Sequence, residues 1–195
     1  LQAAVLRLLC AIGAGPCREI CALTGASMQT VTRLCKLGLL EQQEREVLRS
    51  PKQELPPPAE PITLTDEQQT AFDGLSAQME REKPGAALLY GVTGSGKTAV
   101  YVALIQKALD EGRSAMLLVP EIALTPQLLG RMTAHFGKTV AVLHSSLRVG
   151  ERYDEWRRIA RGEARVVVGT RSAVFAPLQS PGLLILDEEQ EHTYK

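Results

Sequence analysis

The stretch "GVTGSGKT", residues 91–98, has the residue types and spacing of a loop that holds a phosphate chain. In the pattern G-x-x-x-x-G-K-[ST], glycines allow a tight turn with inward N–H groups, the lysine reaches the β and γ phosphates, and the final hydroxyl binds Mg²⁺. A glycine turn beside an exposed lysine is the alternative interpretation. The residues expected to contact ATP in the functional interpretation are Gly91, Thr93, Gly94, Ser95, Gly96, Lys97 and Thr98.

The run "LLILDEEQ", residues 183–190, supplies the acidic pair that such a loop requires. Asp187 leaves the end of an apolar segment and is expected to hold Mg²⁺ together with Thr98, while Glu188 is placed to polarise the attacking water. Ligands bind at the carboxyl ends of strands in open α/β sheets, and this pair is predicted to lie there. The alternative is an acidic pair that opens a surface helix, because carboxylates favour helix starts.

Residues 62–195 alternate short apolar runs with amphipathic stretches, which predicts an α/β domain of buried parallel strands joined by crossover helices. The phosphate loop is then expected between a strand and a helix whose N-terminal amides face the same anion. Trp156 is predicted to lie on the apolar side of one of these helices, as a core anchor. The predicted strands are the runs "AALLY", "AMLLVP", "TVAVLH", "RVVVGT" and "LLILDEE".

Residues 1–50 carry the pattern of a small winged-helix domain. The segment "TGAS" supplies Gly25 as the stop of a second helix and Ser27 as the N-cap of a third, and "GLLEQQEREVLRS" is predicted to be a hairpin wing. The third helix either enters a DNA groove, or the domain docks another protein. This domain has six basic and four acidic side chains, which is little positive charge for binding the phosphates of DNA. The three helices are predicted near residues 1–12, 16–23 and 27–37.

A proline-rich segment, residues 51–61, is predicted to be an extended linker between the two domains. The chain begins without methionine and ends just after an acidic cluster, so we expect it to be a piece of a longer protein whose second domain is incomplete. Its 22 basic and 22 acidic residues balance, so any nucleic-acid affinity must come from a local patch. The sequence has no apolar run long enough to span a bilayer and no charged leader, which favours a cytoplasmic protein without a membrane partner.

All four cysteines, Cys10, Cys17, Cys21 and Cys35, lie in the first domain. Paired C-x₂-C spacing would indicate zinc, whereas Cys17 and Cys21 are four apart in a predicted helix. Buried free thiols are therefore expected in preference to a zinc site.

Five motifs occur in one order: "GVTGSGKT", "LLVPEIALTPQ", "LHSSL", "VVVGTRSAVFAP" and "LLILDEEQEHTYK". Together they resemble the PriA family of bacterial primosomal replication-restart helicases, members of superfamily 2. The resemblance covers residues 62–195, and a winged helix upstream also fits the family. It implies a RecA-like first motor lobe of a 3′-to-5′ DNA helicase that uses ATP and Mg²⁺ to remodel stalled or abandoned forks so that the replicative helicase can be reloaded.

The resemblance also implies partners and site residues. DNA forks and single-stranded DNA are expected as substrates. Single-stranded DNA-binding protein and the helicase-loading proteins of the primosome are expected as partners. Zinc is expected only in a downstream part of the parent protein. Gln68 in "LTDEQ", whose role the chemistry alone leaves open, matches the glutamine thought to read adenine. The positions expected to touch DNA are Pro120, Glu121, Thr125, Thr170, Arg171 and Ser172.

A physical argument supports the DNA positions. Both stretches follow predicted strands, so hydroxyls, amides and the Arg171 guanidinium can meet backbone phosphates without reading bases. The alternative interpretation of "TRSA" is the start of a capped helix.

The acidic motif departs from the family pattern. Members commonly read D-E-E-H, whereas here Gln190 takes the last place and the histidine comes later, as His192. Glutamine donates and accepts hydrogen bonds but cannot titrate as an imidazole does. The expected catalytic set is Lys97, Asp187, Glu188 and Gln190.

Two rival functions remain open. One is a different superfamily 2 translocase, of the RecG-like or restriction type. The other is a winged-helix regulator whose phosphate loop only senses nucleotide. Since the arginine that senses the γ-phosphate normally comes from a second lobe, residues 62–195 alone are expected to bind nucleotide with little turnover.

Overall fold

The computed structural model describes residues 1–43, 56–81, 83–92 and 94–194. These residues form two compact units, one made of the described residues up to 43 and the other of those from 56 onward. Each unit has its own hydrophobic core.

The first unit contains three short helices, which confirms the predicted helices: α1 (Gln2–Ile12), α2 (Cys17–Thr24) and α3 (Met28–Lys36). They close on a small core of Val5, Ile20, Ala26 and Leu34. Gly25 ends α2 in the left-handed region, at φ 67°, as its helix-stop role requires.

The start of α3 differs in detail from the expected cap. Ser27 occupies the N-cap position, but its hydroxyl lies 3.3 Å from the Thr30 hydroxyl and makes no side-chain bond to the helix amides. The predicted wing falls mostly on residues 44–50, outside the described residues, and the described residues 38–43 form no strand. The winged helix therefore stays a prediction.

The cysteine thiols of the first unit are free, but the prediction that they are buried is wrong. Cys10 is exposed, and Cys17, Cys21 and Cys35 are half-buried. The reason is the size of the unit, because three short helices bury few side chains and the cysteines are not among the core residues.

The second unit is an α/β domain around a parallel sheet in the order β2-β3-β1-β4, which confirms the predicted class. Helices α5 and α6 cover one face of the sheet, and α7 covers the other. The strands are β1 (Ser114–Leu118), β2 (Val140–Leu143), β3 (Val166–Gly169) and β4 (Pro181–Leu186). The helices are α4 (Asp66–Met79), α5 (Lys97–Asp110), α6 (Pro126–Phe136) and α7 (Val149–Ala160).

The run "AALLY", residues 86–90, is not a strand, so this prediction is wrong. Leu88 and Tyr90 are 71% and 91% exposed. A strand needs a neighbour to pair its N–H and C=O groups, and this run pairs with neither edge of the sheet. β4 forms one of those edges among the described residues, and its Leu184 and Leu186 are partly exposed.

The orientation of α7 also differs from the prediction, because Trp156 is 39% exposed while Glu155 beside it is buried. Both Glu155 carboxylate oxygens accept hydrogen bonds from the Arg158 guanidinium, at 2.8 and 2.9 Å. Arg158 also donates to the carbonyls of Lys138 and Val140 at the start of β2. This buried ion pair turns Trp156 toward the surface.

Gly169, the last residue of β3, is a position where any side chain collides with the neighbouring backbone. A Cβ there meets the Leu143 carbonyl oxygen and lies 2.6 Å from the Ala173 Cβ. We therefore expect Gly169→Ala to lower the free energy of unfolding by about 3 kcal/mol. Urea unfolding of the chain measures this change.

Gly74 in the middle of α4 provides the matched control, since a Cβ there meets nothing within 4 Å. Gly74→Ala should raise the free energy of unfolding by about 0.5–1 kcal/mol, because alanine loses less backbone entropy in a helix. Equal stability of the two variants would contradict the steric argument.

Candidate functional site

The loop at residues 91–98 leads directly into α5. Gly94 and Gly96 have φ of 85° and 81°, in the left-handed region that favours glycine, and Gly96 is the N-cap of the helix. The Lys97 ammonium donates to the carbonyl oxygens of Gly91 and Val92, at 2.7 and 3.4 Å. The loop backbone therefore surrounds the Lys97 ammonium at the N-terminus of a helix, an arrangement that can bind an anion. Thr93 lies outside the described residues.

Gln68 lies against this loop. Its side-chain oxygen accepts a hydrogen bond from the Thr65 N–H at 3.0 Å, and its amide nitrogen donates to the Ser95 carbonyl oxygen at 3.1 Å. The same glutamine completes a capping box with Thr65 at the start of α4. Gln68 thus links the first turn of α4 to the phosphate loop, a contact that the sequence analysis did not predict.

Asp187 is held at three atoms where β4 ends. Its N–H donates to the Leu118 carbonyl at 2.9 Å, which extends the ladder between β4 and β1. Its carboxylate oxygen Oδ1 accepts from the Tyr101 hydroxyl at 3.0 Å, and its carbonyl accepts from the Tyr194 hydroxyl at 3.0 Å. The structure therefore connects the acidic motif to α5, the helix that begins with Lys97 and Thr98.

Sequence reasoning missed Tyr101. Its position was a usable signal, because a residue three places after Thr98 lies on the same face of a helix. Only the hydrogen bond to Asp187 shows which partner that face meets.

Both tyrosine hydroxyls remain donors at physiological pH. Burial raises the pKa of Tyr101 far above its ordinary value, and the nearby Asp187 carboxylate raises it further. Burial also raises the pKa of Tyr194 to about 12, with smaller contributions from the carboxylates of Asp187, Glu188 and Glu191. Each phenol therefore keeps its hydrogen and can donate it to Asp187.

Glu188 has a backbone conformation unusual for its residue type, with φ of 51°. Such left-handed residues other than glycine cost about 1 kcal/mol and occur preferentially at functional sites. One oxygen of the Glu188 carboxylate accepts a hydrogen bond from the Gln190 side-chain amide at 2.6 Å. The glutamine that departs from the family pattern therefore contacts Glu188 directly.

The positions expected to touch DNA all follow β1 or β3. These strands end side by side, since the Val119 N–H donates to the Gly169 carbonyl at 2.9 Å. Pro120 and Thr170 are buried, so their side chains offer little surface to a ligand. Glu121, Thr125, Arg171 and Ser172 are exposed.

Two further features of this surface escaped the sequence analysis. The Thr125 hydroxyl already accepts a hydrogen bond from the Leu128 N–H at 3.2 Å, as the N-cap of α6. Ile122 and Phe175 are 82% and 76% exposed on the segments that follow β1 and β3. We call Glu121, Ile122, Arg171, Ser172 and Phe175 the strand-end surface.

The donor groups around the loop fit a nucleotide with Mg²⁺. The first-turn amides of α5 and the Lys97 ammonium suit phosphate oxygens, and the Thr98 hydroxyl with the Asp187 carboxylate supplies the oxygen ligands that Mg²⁺ prefers. No helix among the described residues is both long and apolar enough to cross a membrane.

Comparison with known proteins gives consistent matches. Residues 65–195 match the family model of DEAD/DEAH box helicases. The chain is 46% identical to the replication restart protein PriA of Bacillus subtilis over 198 residues, which cover 100% of this chain and 25% of that protein. It is 44% identical to the PriA of Synechocystis, over 87% of this chain and 20% of that protein, and 38% identical to the PriA of Chlamydia pneumoniae, over 100% and 26%.

The chain thus spans about a quarter of the length of these relatives. The parallel sheet and the helicase match together confirm the predicted RecA-like α/β class for the second unit.

Proposed function

Because this chain belongs to the DEAD/DEAH box helicase family and is homologous to the replication restart protein PriA, we propose that it contains the first motor lobe of a DNA helicase acting in replication restart. In this proposal residues 62–195 are the lobe, residues 51–61 a linker and residues 1–50 a winged-helix domain. The observation that supports the proposal is the hydrogen bond from Tyr101 to Asp187, since it connects the helix that follows the phosphate loop to the acidic motif.

Nucleotide binding is assigned to the loop and α4. The amides at the start of α5 and the Lys97 ammonium bind the phosphates, while Thr98 and Asp187 hold Mg²⁺. Gln68 recognises the adenine, and its bond to the Ser95 carbonyl ties that recognition to the loop. Mg²⁺ held by Thr98 and Asp187 would supply positive charge that neutralises the phosphates.

Catalysis is assigned to Glu188 and Gln190. Glu188 accepts the proton of the attacking water as a general base. Gln190 orients that carboxylate through the 2.6 Å hydrogen bond. Because an amide does not titrate in the physiological range, this bond persists over pH values at which a histidine would change charge.

Helicase activity belongs to the whole protein. A second lobe would supply the arginine that senses the γ-phosphate, and closing of the two lobes on ATP followed by reopening after hydrolysis would step them 3′ to 5′ along one strand. Forks, single-stranded DNA-binding protein and the proteins that load the replicative helicase are the proposed partners, by homology to the replication restart proteins.

Single-stranded DNA is proposed to bind the strand-end surface. Arg171 supplies its positive charge, and the adjacent Ser172 is exposed beside it. Arginine to phosphate contacts are independent of base sequence, as a motor that moves along any strand requires.

The Arg171 assignment is tested by replacing the guanidinium. Arg171→Ala in this chain should weaken affinity for an oligothymidine about 3- to 10-fold at low salt and make the slope of log affinity against log salt shallower by about 0.7, because one phosphate contact is lost. Fluorescence anisotropy at several salt concentrations gives both quantities. An unchanged slope would contradict a phosphate contact at this residue.

Arg161 provides the matched control. It lies between α7 and the amino end of β3, whereas Arg171 follows the carboxyl end of that strand, and its guanidinium is 3.9 Å from the Glu163 carboxylate. Arg161→Ala should leave the salt slope unchanged. Equal losses in the two variants would indicate non-specific attraction of DNA to the net charge.

A further inference from the structure

Tyr101 is a buried residue with one polar group, and that group points at the acidic motif. The residue is 7% exposed, and its ring packs in the core between α5 and the sheet. Its hydroxyl donates to the Asp187 Oδ1 atom at 3.0 Å. A buried phenol usually finds a partner, but here the partner is the carboxylate assigned to Mg²⁺.

The bond restricts the carboxylate. The Asp187 main chain is already fixed by its N–H bond to Leu118 and by the Tyr194 hydroxyl on its carbonyl oxygen, so rotation of the side chain is the remaining freedom. The phenol holds Oδ1 and thereby determines where the second oxygen, Oδ2, lies. Partners of this kind orient metal ligands and tune their affinity.

The position of Tyr101 on α5 adds a second consequence. Thr98 precedes it by three residues, so both side chains project from the same face of one rigid helix. The distance between the Thr98 hydroxyl and the Asp187 carboxylate is therefore governed by one helical turn together with one hydrogen bond.

We propose that Tyr101 is a positioning residue, which orients the Asp187 carboxylate relative to Thr98 and thereby determines how tightly Mg²⁺ binds with the nucleotide. This inference rests on the proposed nucleotide site. It assigns the role to the hydroxyl, whereas the ring serves the core. A substitution that removes only the phenol oxygen therefore separates the role of the hydroxyl from that of the ring.

Tyr101→Phe is the direct test, because phenylalanine keeps the ring in the core. The affinity of the chain for the fluorescent nucleotide N-methylanthraniloyl-ADP is measured during a MgCl₂ titration and again in EDTA. We expect the variant to need about tenfold more Mg²⁺ for half-maximal binding, while the affinity in EDTA stays within about twofold of the original. A purely structural role of the hydroxyl would lower both affinities together.

Tyr153→Phe is the matched control. Tyr153 lies on α7, is 59% exposed and contacts the Arg157 guanidinium, away from the phosphate loop. Its Mg²⁺ titration should match that of the unchanged chain.

A double-mutant cycle with Asp187→Ala tests the route of the effect. If Tyr101 acts through Asp187, Tyr101→Phe causes no further loss of Mg²⁺ affinity once the carboxylate is absent. A full additional loss would overturn the inference, as would a Tyr101→Phe variant whose Mg²⁺ titration equals that of the unchanged chain. If instead the unchanged chain binds the nucleotide equally well in MgCl₂ and EDTA, the proposed site itself is wrong.

Discussion

Replacing Glu188 with glutamine should lower the rate of DNA-stimulated ATP hydrolysis about 1000-fold in a full-length protein that contains this chain. Glutamine keeps the size of the side chain and can still contact Gln190, but it cannot accept the proton of the attacking water. The change therefore removes the base and little else. Steady-state hydrolysis with saturating single-stranded DNA measures the loss.

Binding should survive the same substitution. Affinities for Mg²⁺-nucleotide and for single-stranded DNA are expected to stay within about threefold, because Glu188 is assigned to the water and not to the phosphates. Glu189→Gln is the matched control, since it removes the adjacent exposed carboxylate. Undiminished hydrolysis in Glu188→Gln would show that this residue is not the base. The full-length protein is needed, because residues 62–195 alone are expected to turn over little ATP.

Replacing Lys97 with alanine should weaken binding of Mg²⁺-ATP to this chain by at least about 100-fold. The Lys97 ammonium lies 2.7 Å from the Gly91 carbonyl and 3.4 Å from the Val92 carbonyl, within the loop that is expected to hold the phosphates. Hydrogen bonds between charged groups contribute about 1.5–3 kcal/mol each, and Lys97 is expected to make such bonds to two phosphates. Isothermal titration calorimetry measures the affinity.

Lys107 offers a control on the same helix. Its ammonium forms ion pairs with Glu80 and Glu111 at 2.9 and 2.8 Å near the far end of α5. The hydrogen bonds that its ammonium donates to Glu111 and Glu80 raise the pKa of Lys107, so it stays charged. Lys107→Ala should leave nucleotide affinity unchanged while lowering the stability of the chain only slightly, because surface ion pairs contribute little. Comparable affinity losses at Lys97 and Lys107 would mean that the loop lysine has no special role.

The nucleotide also provides an independent measure of the Lys97 change. A ligand that binds only the folded chain raises its unfolding temperature, in proportion to the logarithm of ligand concentration over the dissociation constant. Mg²⁺-ATP should therefore stabilise the unchanged chain and the Lys107 variant, but not the Lys97 variant. A thermal shift that survives in Lys97→Ala would contradict the assignment.

The sequence by itself determined the parts of this protein whose chemistry is local. Glycines at fixed places next to Lys97 predict a phosphate loop, because a short backbone segment needs those residue types to adopt that shape. The helices of the first unit follow from local periodicity in the same way, and Gly25 ends α2 as predicted. Four of the five predicted apolar runs became parallel strands of the described sheet, and β1 and β3 in its middle are buried along their whole length.

Tertiary structure determined the features that depend on residues distant in sequence, such as strand pairing and the orientation of helices. "AALLY" looks like any other strand, but whether it becomes one depends on a neighbour that supplies hydrogen bonds, and among the described residues it has none. Trp156 is a large apolar residue of α7, yet the ion pair between Glu155 and Arg158 determines which side of the helix faces inward.

The candidate site shows the same division. Residue types and spacing marked Lys97 and Asp187 as its members, but the bond from Tyr101 that joins the loop helix to the acidic motif spans a long stretch of chain. Thr170 was expected to touch DNA, but the structure buries it directly after β3. A pattern specifies which groups a segment carries, whereas packing in three dimensions determines which of them meet, because burial and hydrogen bonding depend on atoms far apart in the sequence.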